Sequence, residues 1–317
     1  MPKVSVIIPV YGVEKFIERC AVSLLEQTLD DIEYIFIDDC TKDASIEILR
    51  KVLLRYPNRA SQVRIESMPH NSGLPAVRKR GLSLANGEYV AHCDSDDWVE
   101  VTAYEKLYEK AVKNDLDMVF CDYYKSNGKS HTVVSRRIDF TSKDDILKSI
   151  TKNADWCVWS GIARRSLYLD NLITFPKNNN GEDFALMFQL IFYAKSYSRV
   201  NEPLYFYYLN QKSITNAQTE TAYLNRLNQL IENTKLVIGF IENNKKSKEY
   251  NSLINCYKLY CRTKISPLTR QSKYHKLWLT TFPELSVANV VFNNIIPFRT
   301  KLHYFAVRLH LYHLIFN

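Results

Sequence analysis

Three carboxylates fall close together in the stretch GEYVAHCDSDDWV (87–99), at Asp94, Asp96 and Asp97. Aspartate is depleted in strands and costly inside a core unless it is paired or bound to something. In an extended conformation residues i and i+2 point the same way, so the side chains of Asp94 and Asp96 converge. Two close carboxylates repel unless a cation lies between them, and hard oxygen ligands favour Mg²⁺ or Mn²⁺. The spacing therefore indicates a divalent metal site, with a helix cap as the alternative.

A second acidic pair, Glu182-Asp183, opens the apolar segment GEDFALMFQLIFYAK (181–195). A carboxylate within hydrogen-bond reach of a hydroxyl group can take its proton as a general base. An acidic residue in the first turn of a helix is also simply favourable with the helix dipole, which is the structural alternative.

The first 125 residues alternate short β-branched runs with segments of helical period, which is typical of βαβ units. The predicted strands are VSVIIPV (4–10), IEYIFIDD (32–39), VRIESM (63–68), EYVAHCD (88–94) and MVFCDYY (118–124). Helices are predicted over 14–27, from Asp43 to about Tyr56, near 75–85 and near 101–114. Such apolar strands indicate an α/β protein with a parallel sheet covered by helices. Ligands bind beyond the carboxyl ends of such strands, where Asp38-Asp39 and Asp94-Asp96 lie.

The rest of the chain predicts a helix over 181–195, a strand over 203–209 and mainly helices from about 217. We therefore expect one domain over 1–216 and a basic, mainly helical region over 217–317. The net charge of +8 is concentrated in residues 245–317, which carry twelve Lys and Arg against two Asp and Glu.

The seven cysteines are scattered and form no CxxC pair, which favours reduced thiols over a disulfide framework or a zinc site. The N-terminus MPKVSVIIPVYG lacks a signal-peptide pattern, and no run approaches the roughly 20 apolar residues of a membrane span. We expect a cytoplasmic protein that is neither exported nor integral to a membrane. We expect no nucleic acid among its partners.

Four blocks of the sequence resemble the signature blocks of family 2 glycosyltransferases, which are inverting enzymes of the GT-A fold. They are VSVIIPVYGVEKFIERCAVSLLEQT, IEYIFIDDCTKDAS, NSGLPAVRKRGLSLANGEYVAHCDSDDWV and NNNGEDFALMF, in the family's order. The resemblance implies a GT-A domain, with a Rossmann-like, mostly parallel sheet flanked by helices, to which the pattern after about residue 217 adds a helical C-terminal extension. It is strong over 1–124, moderate over 155–216 and negligible beyond.

The resemblance implies a nucleotide site at the sheet edge. Pro9, Tyr11 and Asp39 fall where the family holds the nucleobase and ribose. A carboxylate at position 39 can accept the imide N–H that uracil offers and cytosine does not, which favours a UDP-sugar donor over a CDP-sugar.

The family's DxD motif falls on Asp94-Ser95-Asp96, with Asp94 and Ser95 on the nucleotide side and Asp96 as the ligand of Mn²⁺ or Mg²⁺. Arg78 falls where relatives commonly have an arginine near the nucleotide. Its alternative is a place on the solvated face of an amphipathic helix.

Asp183 aligns with the catalytic base of the family's ED pair. The segment YYLNQKSIT (207–215) resembles one that brings a basic residue or a serine to the diphosphate, so Lys212 and Ser213 are candidates. Where relatives tend to have an Asn-Lys pair this chain has Ser160-Gly161, on the acceptor side of the family fold. Acceptor choice is therefore the part least fixed by the resemblance.

The C-terminal segment PFRTKLHYFAVRLHLYHLIFN (297–317) contains three Lys or Arg, three His and no acid. As one helix it would place an apolar stripe on Leu302, Phe305, Leu309, Tyr312 and Phe316. Such a helix suits the interface of an anionic membrane. A helix packed onto the domain is the alternative.

These features predict a metal-dependent inverting glycosyltransferase that moves one sugar from a UDP-sugar to a hydroxyl of a lipid-linked or polysaccharide acceptor. A nicotinamide dehydrogenase would need a GxGxxG turn, and a nucleotidyltransferase a Gly-rich basic loop where this chain has PVYGVEK. The remaining alternative is a non-catalytic, membrane-associated scaffold that retains the fold. A scaffold would tolerate the loss of Asp96 and Asp183.

Overall fold

A computed structural model describes residues 1–135, 147, 157–210 and 219–316 of the chain. The described residues form two compact units, one within residues 1–146 and 156–216 and the other within 147–155 and 217–317. Each unit has an apolar core of its own.

The described residues of the first unit contain a nine-stranded sheet. Its strands are β1 Val4–Val10, β2 Ile32–Asp38, β3 Val63–Ser67, β4 Tyr89–His92, β5 Trp98–Val99, β6 Met118–Ser126, β7 His131–Val134, β8 Gly161–Arg164 and β9 Tyr197–Tyr208. Their order in the sheet is β3-β2-β1-β4-β8-β6-β9-β5, and β7 pairs with β6. Strands β1 to β4 run parallel to one another, as do β6 and β9, whereas β8 lies antiparallel between β4 and β6. The predicted α/β class is confirmed, with an antiparallel strand in the middle of the sheet.

Strand β1 is buried along its whole length, as expected for a central parallel strand covered on both faces. Its proline is tolerated for a geometric reason. The carbonyl of Ile7 accepts a hydrogen bond from Cys93, so Pro9, two residues further on, faces the same side. Strand β4 has ended there, at His92, and the missing N–H of Pro9 leaves no bond of the ladder unmade.

Within the described residues the first unit has six helices: α1 Ile17–Leu25, α2 Ser45–Leu53, α3 Leu74–Leu84, α4 Ala103–Lys113, α5 Arg165–Leu169 and α6 Glu182–Tyr193. A 3₁₀ turn, Pro57–Gln62, leads into β3. The helices predicted in the first 125 residues are present with slightly different ends, and the strand predicted over 203–209 is the second half of the longer β9.

The second unit is helical in its described residues, with α7 Glu220–Asn243, α8 Asn251–Ile265, α9 Ser272–Thr280, α10 Val287–Val291, α11 Phe298–Arg308 and α12 Tyr312–Ile315, and a 3₁₀ turn at Ser266–Leu268. Its core surrounds the fully buried Trp278. Among the described residues no helix has the length and apolarity needed to cross a membrane.

The single C-terminal helix predicted over 297–317 is wrong. His310 adopts a left-handed conformation, with φ +62°, two residues after Arg308, the last residue of α11. The N–H of His310 donates to the carbonyl of Val307, and that of Leu311 donates to Ala306, which closes the helix with a Schellman motif. Tyr312 therefore starts a separate short helix, and the predicted stripe does not continue to Phe316.

Candidate active site

The turn after β4 carries the clustered aspartates and is held by β9. The hydroxyl of Tyr205 accepts a hydrogen bond from the N–H of Asp94 (3.1 Å) and donates one to Asp97 Oδ2 (2.7 Å). Asp97 Oδ1 accepts from the N–H of Tyr208 (2.7 Å). Asp97 is buried, and burial raises its pKa well above the ordinary value. The third carboxylate of the cluster therefore holds the turn in place and faces no ligand.

Asp96, like Asp94, is partly exposed, in contrast to the buried Asp97. Its Oδ2 accepts one long hydrogen bond, 3.3 Å, from the side-chain amide of Asn210. Burial and then the charge of Asp94 raise its pKa to about 6. The hydrogen bond from Asn210 and the charge of Arg19 oppose this rise, and a bound cation would favour the ionised form further.

The chemistry of this donor set fits a divalent cation. Mg²⁺ is usually bound by one or two carboxylates together with substrate phosphates, and Asp94 and Asp96 offer such oxygens. Among the described residues there is no group of three or more His, Cys, Asp or Glu that could hold a metal by itself. Phosphate oxygens of a ligand would have to complete the coordination.

Arg78 of α3 joins three carboxylates from two other parts of the unit. Its Nη2 lies 2.7 Å from Asp94 Oδ1 and its Nη1 lies 2.9 Å from Asp183 Oδ1. Nη1 also contacts Glu182 Oε1. Arg78 is completely buried, so its predicted alternative, a solvated helix face, is wrong. The guanidinium instead ties the end of β4 to the start of α6.

The two acids at the start of α6 differ in exposure. The side chain of Asp183 is 32% exposed, whereas that of Glu182 is 3% exposed. Burial raises the pKa of Asp183, and the positive charge of Arg78 opposes that rise. Burial also raises the pKa of Glu182 well above its usual range. Only Asp183 of this pair can meet a group that arrives from solvent.

Tyr11 and Asp39 follow neighbouring strands and lie side by side, because the N–H of Asp39 donates to the carbonyl of Val10. The ring of Tyr11 is half exposed and can serve as a stacking platform. Asp39 is buried, and its two carboxylate oxygens accept hydrogen bonds from the N–H groups of Ser72 (2.7 Å) and Gly73 (2.9 Å). Each oxygen has a further lone pair, so the carboxylate can still accept a bond from a ligand.

The start of α3 is also tied to the loop that precedes α6. Asn179 Oδ1 accepts from the N–H of Leu74 at 3.1 Å. Gly73 has φ +82°, and a Cβ there would lie 2.8 Å from Asn179 Oδ1. Only glycine suits this position, and the close approach positions the helix that carries Arg78.

Arg78 contacts both Asp94 and Asp183 directly. Ser95, which stands between Asp94 and Asp96 in the sequence, is buried. Pro9 lies inside β1, two residues before Tyr11. Lys212 and Ser213 lie outside the described residues.

Two contributors to this site were missed in the sequence. The Arg19 guanidinium lies 3.5 Å from the centroid of the Trp98 ring and donates to the backbone carbonyl of Asp96 (3.0 Å). Nothing in the spacing of Arg19 signals this role. Asn210 could have been found, because it lies two residues before Lys212 in the segment already singled out.

This chain has Ser160-Gly161 where relatives tend to have an Asn-Lys pair, and the glycine has a steric reason. A Cβ at Gly161 would lie 2.1 Å from the carbonyl oxygen of Val119 in β6. Strands β8 and β6 therefore approach each other in a way that excludes any larger residue at position 161.

Comparison with known proteins decides the family. The model of glycosyl transferase family 2 matches residues 5–169, just over half of the chain. The chain belongs to this family. It is 33% identical over 223 residues to the uncharacterized glycosyltransferase EpsJ of Bacillus subtilis (strain 168). That match covers 68% of this chain and 63% of EpsJ, so the chain spans less than two thirds of this relative.

Solved structures confirm the GT-A fold of this family 2 chain. S. aureus TarS 1–349 in complex with UDP-GlcNAc has a TM-score of 0.61 at 18% identity, over 98% of this chain and 89% of that one. The mannosyltransferase PcManGT from Pyrobaculum calidifontis, in complex with GDP-Man and Mn²⁺, has a TM-score of 0.53 at 15% identity, over 98% and 87%.

Proposed function

We propose that this family 2 protein is a metal-dependent inverting glycosyltransferase that moves one hexosyl or N-acetylhexosaminyl group from a UDP-sugar to a hydroxyl group. The acceptor would be a lipid-linked glycan or a polysaccharide. The observation that carries the proposal is the Arg78 junction, in which one buried guanidinium pairs with Asp94 of the proposed donor site and with Asp183, the proposed base.

The donor would lie along the carboxyl ends of β1, β2 and β4. Tyr11 would stack on the base, and Asp39 would accept the imide N–H of uracil. Asp94 and Ser95 would lie by the ribose and diphosphate, together with Lys212 from the segment after β9. The complexes of TarS with UDP-GlcNAc and of PcManGT with GDP-Man support a nucleotide-sugar donor.

Asp96, with Asp94 beside it, would hold Mn²⁺ or Mg²⁺, and the Mn²⁺ of the PcManGT complex supports that choice. A cation bound there would neutralise negative charge on the departing diphosphate.

Asp183 would take the proton of the acceptor hydroxyl. The acceptor oxygen then forms a bond to the anomeric carbon from the face opposite the nucleotide, and the carbon–oxygen bond to the diphosphate breaks with its electron pair leaving on UDP. The configuration at the anomeric carbon is thereby inverted. The charge of Arg78 favours the ionised form of Asp183, while the burial of Asp183 raises its pKa and would make it a stronger base than an exposed aspartate.

We propose that the donor site and the catalytic base lie in the domain over residues 1–216. The basic region 217–317 would contact the molecules that surround the acceptor. A lipid-linked acceptor would bring this enzyme to the cytoplasmic face of the cell membrane.

The test is release of UDP from UDP-GlcNAc, UDP-glucose and UDP-galactose in the presence of Mn²⁺, with water as the acceptor that takes the sugar, for wild type, Asp183→Asn and the exposed control Asp31→Asn. General-base catalysis is usually worth roughly 10²–10⁴-fold, so Asp183→Asn should lose at least a hundredfold in rate while it still binds UDP. The control should match wild type. More than about a tenth of wild-type turnover in Asp183→Asn would contradict the role of this base.

A further inference from the structure

The second unit exposes large apolar side chains on its last three helices and the turns that flank them. We define the C-terminal apolar surface by six of them, namely Phe292, Phe298, Leu302, Leu309, Leu314 and Ile315. Their exposed fractions range from 48% for Leu302 to 84% for Phe292. A cluster of exposed apolar side chains bordered by polar residues marks an interaction site.

Helix α11 is apolar on two opposite sides. With 3.6 residues per turn, Phe298, Leu302 and Leu309 fall within about 40° of one another around the helix axis. Tyr304 and Val307 lie on the other side and are buried in the core of the unit. The core therefore accounts for the inner side of α11, whereas the outer side faces solvent.

The neighbouring elements extend this surface on both sides of α11. Lys301 Nζ donates to the carbonyl of Val291 (2.7 Å), which places the end of α10 and the following Phe292 beside α11. The ring of His303 in α11 lies 4.8 Å from that of Tyr312, which packs α12 against the same helix. Leu314 and Ile315 project from this packed short helix into solvent.

Positive charge flanks the apolar side chains. Arg299 and Arg308 are exposed and lie roughly 80–100° to either side of the outer stripe of α11. Residues 285–317 contain no Asp or Glu at all. Cations placed beside an apolar stripe reach the level of lipid headgroups when the stripe enters the acyl boundary.

We propose that the C-terminal apolar surface docks on an anionic lipid bilayer, with its apolar side chains in the acyl boundary and Arg299 and Arg308 at the headgroup phosphates. Charge complementarity selects this occupant, because a second copy of the chain would bring like charges together. The proposal concerns the second unit and does not depend on the donor site of the first.

The test is co-sedimentation of the full chain with vesicles of phosphatidylcholine alone and with vesicles that contain one third phosphatidylglycerol. We expect binding to the anionic vesicles only, and weaker binding at high salt, which screens charge. The double variant Phe298→Ser with Leu314→Ser should bind the anionic vesicles at least tenfold more weakly. Arg299→Gln with Arg308→Gln should lower this binding by about tenfold or more.

The matched control is Leu172→Ser, which removes a leucine that is 90% exposed in the first unit and should leave binding unchanged. All these side chains are exposed, so thermal unfolding should not change.

Wild type that fails to sediment with anionic vesicles, or an equal loss in Leu172→Ser, overturns the proposal. So does a wild-type dimer in analytical ultracentrifugation that the Phe298 and Leu314 substitutions dissociate, in the absence of vesicle binding. Calorimetric UDP binding by the same variants should equal that of wild type, which separates this proposal from the proposed activity.

Discussion

Arg78 controls the electrostatics of the proposed site, because it is the cation nearest both to the proposed donor carboxylate and to the proposed base. Lysine at this position keeps the charge but lacks the planar fork that reaches Asp94 and Asp183 together. We expect Arg78→Lys to lower turnover roughly a hundredfold, the scale of a small misplacement of catalytic groups.

The pH profile should also change in Arg78→Lys. The Arg78 charge lowers the pKa of Asp183. A lysine that cannot reach Asp94 and Asp183 together acts less strongly on Asp183, so the pKa of Asp183 rises and this base becomes protonated at higher pH. The acid limb of kcat/KM for UDP release should therefore move to higher pH. The control is Arg80→Lys on the same helix, whose side chain is exposed. An unmoved acid limb in Arg78→Lys would show that this pairing does not govern the base.

The sequence predicted site roles for Asp94, Asp96 and Asp183, because carboxylate spacing and the family blocks are local signals, and the structure brings Asp94 and Asp183 to the same guanidinium. The sequence did not show that the role of Asp97 differs from those of Asp94 and Asp96. The bond that makes Asp97 structural comes from Tyr205, more than 100 residues away in the chain. The burial of Arg78 was likewise hidden, because its partners come from the end of β4 and the start of α6.

The central element of the site is the pairing of β9 with the turn after β4. Tyr205→Phe removes the hydroxyl that bonds both Asp94 and Asp97 and leaves a buried carboxylate one hydrogen bond short. We expect a loss of about 1–3 kcal/mol in the free energy of unfolding, and weaker UDP binding in the presence of Mn²⁺. Chemical denaturation and calorimetry measure the two effects.

Tyr207→Phe is the matched control, because Tyr207 lies two residues further along the same strand, is only half-buried and stacks on Trp159. Equal losses in the two variants would mean that the Tyr205 hydroxyl does not specifically hold the turn.

The strands β1 to β4 and the helices α1 to α4 could be predicted from local periodicity, because each shows its pattern within a few residues. Two features of the fold could not be predicted in this way. Strand β8 enters the sheet antiparallel between β4 and β6, where Gly161 permits close approach to Val119, and no local pattern encodes that contact. The end of α11 depends on His310 in a left-handed conformation, a place where glycine is the usual signal.

At the scale of the whole molecule, the seven cysteines are all free thiols, and five of them are buried. Ellman's reagent should react quickly with no more than the partly exposed Cys40 and Cys157 in the native protein, and with all seven after unfolding. Fast reaction of more than two thiols in native protein would contradict the packing of the two cores.

The most direct measurement is calorimetric titration of UDP, with and without Mn²⁺, into wild type, Asp96→Asn and the control Asp31→Asn. We expect UDP to bind wild type and the control when Mn²⁺ is present. Asp96→Asn should weaken this binding roughly tenfold or more, because one of the two carboxylates for the cation is lost. Absence of UDP binding under every condition, or equal binding by Asp96→Asn, would contradict the proposed donor site, and the first of these results would favour a scaffold that retains the fold without the chemistry.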